Sequence, residues 1–261
     1  MAACTQRRHD RLDGETQTMN PTRPMLMIAL MSLLACQPQD DRQAAAQAQA
    51  AQAEREQAAQ AMEAKFEAAI GEGNWRLAKG YAEVLQTDYP SSAAAARVRP
   101  RLDEVRAKAE AQAQQQRLAA LWSYAEQPVG KDGQQRSASI YSKEPVDTDG
   151  SGAQPVRLIF RDHPAWGRSA YLVLQAGDFD CYKGCRLTVT LDGKTHVLPG
   201  LRPKTDEAIA MFIEDWKGLW RLAQSGQTLA ITFPTRAVGR KTAVFEVGGL
   251  DPVRMPGWPQ G

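Results

Sequence analysis

Arg186-Leu187-Thr188-Val189-Thr190-Leu191-Asp192-Gly193-Lys194-Thr195-His196-Val197-Leu198 decides the fold of this chain. Leu187, Val189 and Leu191 alternate strictly with polar residues, the period of a strand with one face on a core and the other in water. Asp192-Gly193 then interrupts the pattern for two residues, as a tight hairpin turn requires: Gly accepts positive φ freely and Asp accepts it better than most residues. Lys194 to Leu198 returns as the second strand. Further along, Leu229, Ile231 and Phe233 define another alternating face, and so do Ala243, Phe245 and Val247. Val156 to Phe160 and Ala170 to Leu174 carry apolar residues on both faces and read as more deeply buried strands. Trp216, Leu219, Trp220 and Ala223 recur at i, i+3, i+4 and i+7, which predicts a helix across Phe212 to Leu222 that Gly226 closes.

Upstream the composition changes twice. From Gln37 to about Gln60 the chain is nearly all Ala and Gln with scattered charge, a mixture with high helix propensity and no large apolar residue to bury. It reads as a spacer of about 36 Å if wholly helical. Large apolar residues then appear at helical spacing: Met62, Phe66 and Ile70, and after Gly71-Glu72-Gly73, Trp75, Ala78, Tyr81, Ala82 and Leu85. This predicts two helices joined by a glycine turn, the second stopped by Pro90. Ser91 or Ser92 can cap a third helix from Ala93 to about Leu118, kinked at Pro100. The expected fold class is α+β: an N-terminal helical tether and helical hairpin, followed by a small antiparallel β-sandwich or barrel with one packed helix. The corresponding domain plan is a signal segment at 1–36, a tether at 37–60, a helical hairpin with a third helix at 61–120, a β-rich domain at 121–254 and a tail at 255–261.

Met25-Leu-Met-Ile-Ala-Leu-Met-Ser-Leu-Leu-Ala-Cys36 is too short to cross a bilayer as a helix, which takes about 20 residues, and fits the apolar region of a cleaved signal with Arg23 ahead of it. Its end, Leu33-Leu34-Ala35-Cys36, resembles the bacterial lipobox. That resemblance implies cleavage before Cys36, diacylation of its thiol and acylation of the new amino group. Several acyl chains give a durable anchor where one does not. Gln37 stands where an Asp usually marks inner-membrane retention, so the resemblance implies the outer membrane. Met1 to Thr18 is polar with Arg7, Arg8 and Arg11, whereas Met19 opens a compact signal; this points to Met19 as the start. Cys4 would then never reach the envelope, and Cys181 and Cys185 remain as an even pair in an oxidising compartment. After residue 36 the chain carries 28 Lys and Arg against 27 Asp and Glu, out of 32 and 30 overall, and so lacks the basic footprint of a nucleic-acid binder.

Gly73, Trp75, Ala78 and Pro90 stand at the spacings of the second half of a tetratricopeptide repeat, which the helical hairpin resembles. One repeat cannot bury a continuous core, so a small hairpin docked on its neighbours is expected rather than a peptide-binding array. In the β-rich half, Gly177-Asp178-Phe179-Asp180-Cys181, Cys185 leading into an alternating strand, the Phe212 to Leu222 segment and Val244-Phe245-Glu246-Val247-Gly248-Gly249-Leu250 together look like a group of uncharacterised bacterial envelope proteins. More distantly they are similar to the invasion-associated locus B family and to accessory proteins of type VI secretion. The resemblance implies a secreted β-domain and supplies no catalytic residues.

Candidate chemistry is sparse. Cys181-Tyr182-Lys183-Gly184-Cys185 lacks the two-residue spacing of a thioredoxin-type redox pair and leads into a strand, which suits a structural disulfide. Asp147-Thr148-Asp149-Gly150-Ser151-Gly152 resembles the start of a calcium loop, but Leu158 occupies the twelfth position in place of the bidentate carboxylate, so it reads as an acidic turn. His163 and His196 show no zinc spacing, and neither a nucleophile elbow nor a phosphate-binding glycine loop is present. Trp216 and Trp220 read as core, while Trp166, between Pro164 and Gly167, reads as an exposed contact. No cofactor, metal or nucleic acid is implied. The expected function is that of a non-enzymatic lipoprotein, held at Cys36 in the outer membrane and facing the periplasm, serving as a binding or assembly accessory for an envelope protein partner. The alternatives are a tetratricopeptide-like scaffold for an envelope complex and, after that, a periplasmic or cell-wall enzyme.

Overall fold

The computed structural model describes residues 39–131, 133–203 and 209–259. Cys4, Met19 and the Met25 to Cys36 segment lie outside the described residues.

Four helices come first: α1 (Gln39–Gly71), α2 (Trp75–Asp88), α3 (Ala93–Val98) and α4 (Leu102–Ala120). The expected tether and first hairpin helix are one 33-residue helix, because nothing between Gln39 and Gly71 breaks an Ala-rich run. The chain divides into two compact units, Met1–Ala53 and Glu54–Gly261. In the first, side chains from Asp40 to Ala53 are all exposed, and Asp40 and Asp41 sit favourably in the first helical turn.

In the second unit, Ala59, Phe66 and Ala69 of α1 pack with Ala78, Ala82, Leu85, Ala94, Ala95, Val98 and Val105. Alanine at so many of these sites lets the helices approach closely. Asn74 caps α2 by accepting from the Leu77 N–H at 3.2 Å, and Ser92 caps α3 by accepting from the Ala95 N–H at 3.0 Å. Pro100 interrupts the third helix as expected: α3 and α4 are separated by a 3-10 turn at Arg99–Arg101.

The β-rich part comprises β1 (Ser123–Val129), β2 (Gly133–Tyr141), β3 (Val146–Asp147), β4 (Ala153–Gln154), β5 (Arg157–His163), β6 (Gly167–Val173), β7 (Cys185–Leu191), β8 (Lys194–Leu201), β9 (Ala210–Ile213), β10 (Thr228–Thr235) and β11 (Gly239–Glu246), with α5 (Trp216–Ser225) between β9 and β10. Nine strands form one antiparallel sheet in the order β1-β2-β5-β6-β9-β8-β7-β10-β11; β3 and β4 form a separate small hairpin. The sheet curls around a single core to which all nine strands except the outermost polar edge give fully buried residues. The Lys143 N–H, just past β2, donates to the Val244 carbonyl of β11 at 2.7 Å and stitches the far edge across. One curled sheet therefore replaces the two packed sheets of a sandwich.

The alternating faces are core as read: Leu187, Val189, Leu229, Ile231, Phe233, Ala243, Phe245 and Val247 are all fully buried. The predicted hairpin turn is present, with Asp192 at φ +44° and Gly193 at +87°. The Asp192 carboxylate accepts from the Gln227 and Thr228 N–H groups at 2.9 and 2.8 Å, which ties the hairpin to β10.

Two expectations need correction. Phe212 belongs to β9, and the helix starts only at Trp216, where Asp215 caps it by accepting from the Gly218 N–H at 2.8 Å. Residues 255–261 are not a tail as far as they are described. Met255 and Trp258 are buried, and Trp258 stands among Phe160, Trp216 and Trp220 with ring centroids at 5.7, 5.0 and 4.6 Å. The Trp220 indole N–H donates to the Pro259 carbonyl at 2.7 Å.

The helical and β-rich parts of this unit meet at the end of α4. Arg117 donates two hydrogen bonds to Glu246, at 3.1 and 2.7 Å, and the Trp122 indole N–H donates to the Val247 carbonyl. Arg117 holds the Glu246 carboxyl below the usual range. Gly249 lies so close to Leu118 and Ala119 that a Cβ there would fall within 2.3 Å of their backbone. This explains why glycine stands at that position.

Candidate binding face

Register assigns every residue of β2, β5, β6 and β9 to a face. Ala138, Ile140, Leu158, Phe160, Ala170, Leu172, Met211 and Ile213 point inward and are buried. Their alternates point outward, and across four strand pairs they align as one row: Ser139, Ile159, Tyr171, Phe212 and Leu201. An outward row on a sheet is normally polar, and this one is largely apolar or aromatic. Ile159 faces outward yet is only 9% exposed, because its neighbours lie over it.

Those neighbours include two arginines. Arg157 lies over the Tyr141 ring at 5.4 Å and donates from Nη2 to Ser139 Oγ at 2.8 Å. Arg161 lies over both the Trp166 and Tyr171 rings, at 5.3 and 5.2 Å. Tyr171 in turn packs on Phe212 at 5.3 Å. Neither arginine has a carboxylate partner among the described residues. Buried Nε of each, and Ser169 Oγ across from Arg161, have no hydrogen-bond partner. The inward-facing charges at the end of the same strands behave differently: Glu126 pairs with Arg136, and Asp162 with Arg168.

Trp166 occupies the turn between β5 and β6 and is 71% exposed, as its position between Pro164 and Gly167 suggested. It stacks on His163 with ring centroids 3.9 Å apart. His163 is itself buried, and its Nδ1 accepts from the Ala165 N–H at 3.1 Å, so this histidine shapes the turn that presents the indole. Tyr141, at the opposite end of the face, is 48% exposed. Sequence reading found Trp166 but missed Tyr141, Arg157, Arg161, Tyr171 and Phe212 as members of the same face, because β2 and β9 carried no legible strand pattern. The available signal was the odd-numbered set Arg157, Ile159 and Arg161, opposite the buried Leu158 and Phe160.

The other singled-out residues are accounted for locally. Cys181 and Cys185 form a disulfide, with Cα atoms 5.1 Å apart, and the Cys181 carbonyl accepts from the Gly184 and Arg202 N–H groups. It clamps the loop entering β7. In the acidic turn, Asp147 accepts from the Asp149 and Gly150 N–H groups, while Asp149 accepts from the Ser151 N–H and hydroxyl. Those bonds, the Ser151 hydroxyl first, hold the Asp149 carboxyl below its usual range. The carboxylates of this turn thus serve its own donors. His196 is exposed on β8.

Two open depressions are also lined by matched charge. One, of about 520 Å³, is bounded by Gly177, Asp178, Ile209 and Arg236, and its two charges pair at 3.0 Å. The other, of about 410 Å³, contains the Glu126–Arg136 pair, with Arg254 over Tyr124 at 4.2 Å. Among the described residues no helix is long and apolar enough to cross a membrane.

The arrangement holds aromatic rings and arginine forks on strands, residue types that are enriched in protein contacts. Compared with known proteins, the chain matches no family model, no curated protein and no solved structure.

Proposed function

We propose that this chain is a non-enzymatic accessory module of the bacterial envelope, anchored by acylated Cys36 in the outer membrane and facing the periplasm. The Ala/Gln-rich part of α1 spaces the folded unit from the bilayer. The β-domain docks an envelope protein through the outer face of β2, β5, β6 and β9. The observation that supports this reading is Trp166, 71% exposed beside an arginine that has no carboxylate partner among the described residues. A side chain of that size gains little by facing water, whereas at the centre of an interface it contributes more than almost any other residue.

The test is photocrosslinking in the native envelope. A benzoylphenylalanine in place of Trp166 is expected to trap one reproducible protein partner, and the same probe at Thr232, on a different part of the sheet, is not. Mass spectrometry of the purified chain is expected to show acylated Cys36 at its N-terminus. Crosslinks from Thr232 alone, or an N-terminus other than acylated Cys36, would sink the corresponding half of the reading.

A further inference from the structure

The outward positions of β1, β2, β5, β6 and β9 have an uneven charge. On β1 they are Ser123, Ala125, Gln127 and Val129; on β2, Gln135, Ser137, Ser139 and Tyr141; on β6, Ser169, Tyr171 and Val173. Ala210 and Phe212 continue the surface on β9. None is acidic. On β5 the outward positions are Arg157, Ile159, Arg161 and His163, so the two arginines carry the formal charge of these positions. Elsewhere several arginines pair with carboxylates: Arg97 with Glu63, Arg101 with Glu67, Arg117 with Glu246, and Arg236 with Asp178. On this face two guanidinium groups rest on aromatic rings, and the buried Nε–H of each has no acceptor among the described residues.

From this we infer that the face docks an acidic segment of a protein partner, whose carboxylates reach Arg157 and Arg161 while its apolar side chains lie along Ile159, Tyr171 and Phe212. The inference rests on the docking role proposed above and names the chemistry of the partner. Arginine forks match carboxylates with paired hydrogen bonds, and rings already stacked on the guanidinium planes hold the forks in place before the partner arrives. The apolar row between the two arginines favours a polypeptide over an acidic glycan, which would offer it hydroxyl groups.

The experiment uses the full chain purified in detergent and three probes: a fluorescent peptide of alternating Glu and Leu, the same peptide with Gln for Glu, and polygalacturonate as an acidic glycan. The Glu peptide is expected to bind about tenfold more tightly than the Gln peptide, as charge-assisted hydrogen bonds would give. That preference should vanish in the Arg157→Gln/Arg161→Gln variant and persist in Arg240→Gln, which alters an arginine of β11 bonded to backbone carbonyls. An unchanged melting temperature separates a lost contact from a lost fold; should the double variant melt early, the single Arg161→Gln variant, which breaks no side-chain hydrogen bond among the described residues, replaces it. Equal binding of the two peptides, no binding of either, persistence of the preference without the arginines, or tighter binding of polygalacturonate each overturns the inference. Crosslinking from position 166 reads the docking role separately, so a partner trapped there despite equal peptide binding would leave docking intact and remove only the acidic partner.

Discussion

The two halves of the curled sheet present outer faces built on opposite plans. Along β7, β8, β10 and β11 the outward residues include threonines that pair across strands: Thr190 with Thr195 at 3.3 Å, and Thr232 with Thr242 at 2.7 Å. Along β2, β5, β6 and β9 they are aromatic rings and arginines whose donors are not all met. On the first face the threonine pairs meet across strands, which suits a sheet in water. Both faces rest on the same core, so the difference lies in the outward side chains rather than in how the sheet is held.

The comparison breaks most severely if the halves do not share that core. Phe160 lies under the aromatic half, between Trp220 and Trp258, and Phe233 under the threonine half, edge-on to Phe179 at 5.2 Å. Either residue changed to Ala should cost about 3–5 kcal/mol, as buried aromatic truncations do. Denaturant unfolding followed by tryptophan fluorescence and by circular dichroism should give coincident transitions for both variants. Separate transitions would mean two cores, and the two faces would then belong to two bodies.

Legibility in the sequence follows the same division. Residues of β7, β10 and β11 alternate large apolar with polar because one side meets solvent, and their buried sets were all readable. In the aromatic half both sides of β5 and β6 carry bulky residues, which revealed strands but not which side faced out. β2 was invisible because its core contributions near the middle are as small as Ala138, amid Gln, Arg and Ser. β1 has Pro128 and polar residues on both sides, the marks of a protected edge. β9 was absorbed into the following helix since four apolar residues in a row fit either period. Trp166 was found as an isolated exposed ring; the rest of the face needed the register, which lines up Tyr141 beside Arg157 and Phe212 beside Tyr171 from strands far apart in sequence.

The disulfide offers a smaller perturbation. Cys181–Cys185 closes a short loop at the start of β7, in the threonine half, so the Cys181→Ser/Cys185→Ser variant should lose about 2 kcal/mol at most. Crosslinking from position 166 should be unaffected when the variant is held well below its melting temperature. Loss of that crosslink without unfolding would mean the loop itself contributes to docking.

Changes on the faces themselves should barely alter stability. Trp166→Ala and the Thr232→Val/Thr242→Val pair should each shift it by about 0.5 kcal/mol or less, the usual range for exposed sites. Only the first should impair partner capture. Comparable loss from the threonine variant would erase the functional contrast between the faces.

Acid should produce the most graded effect, and it acts outside the aromatic face. Glu246 is held below its usual pKa by hydrogen bonds from Arg117, and Asp192 by the Gln227 and Thr228 N–H groups. A carboxyl whose pKa is depressed in the folded state stabilises above its unfolded pKa, and that contribution is lost as pH falls through the folded value. Melting temperature should therefore decline on acidification below the ordinary carboxylate range. Glu246→Gln and Asp192→Asn should each lower stability at neutral pH and flatten that decline, because the variant lacks the proton linkage. Arg157 and Arg161 have no such carboxylate among the described residues, so Arg161→Gln should leave the acid limb of the free chain superimposable on the parent. With the acidic peptide bound, a new acid-sensitive increment in melting temperature should appear in the parent and not in Arg161→Gln, since protonating the peptide removes the carboxylates that the face holds.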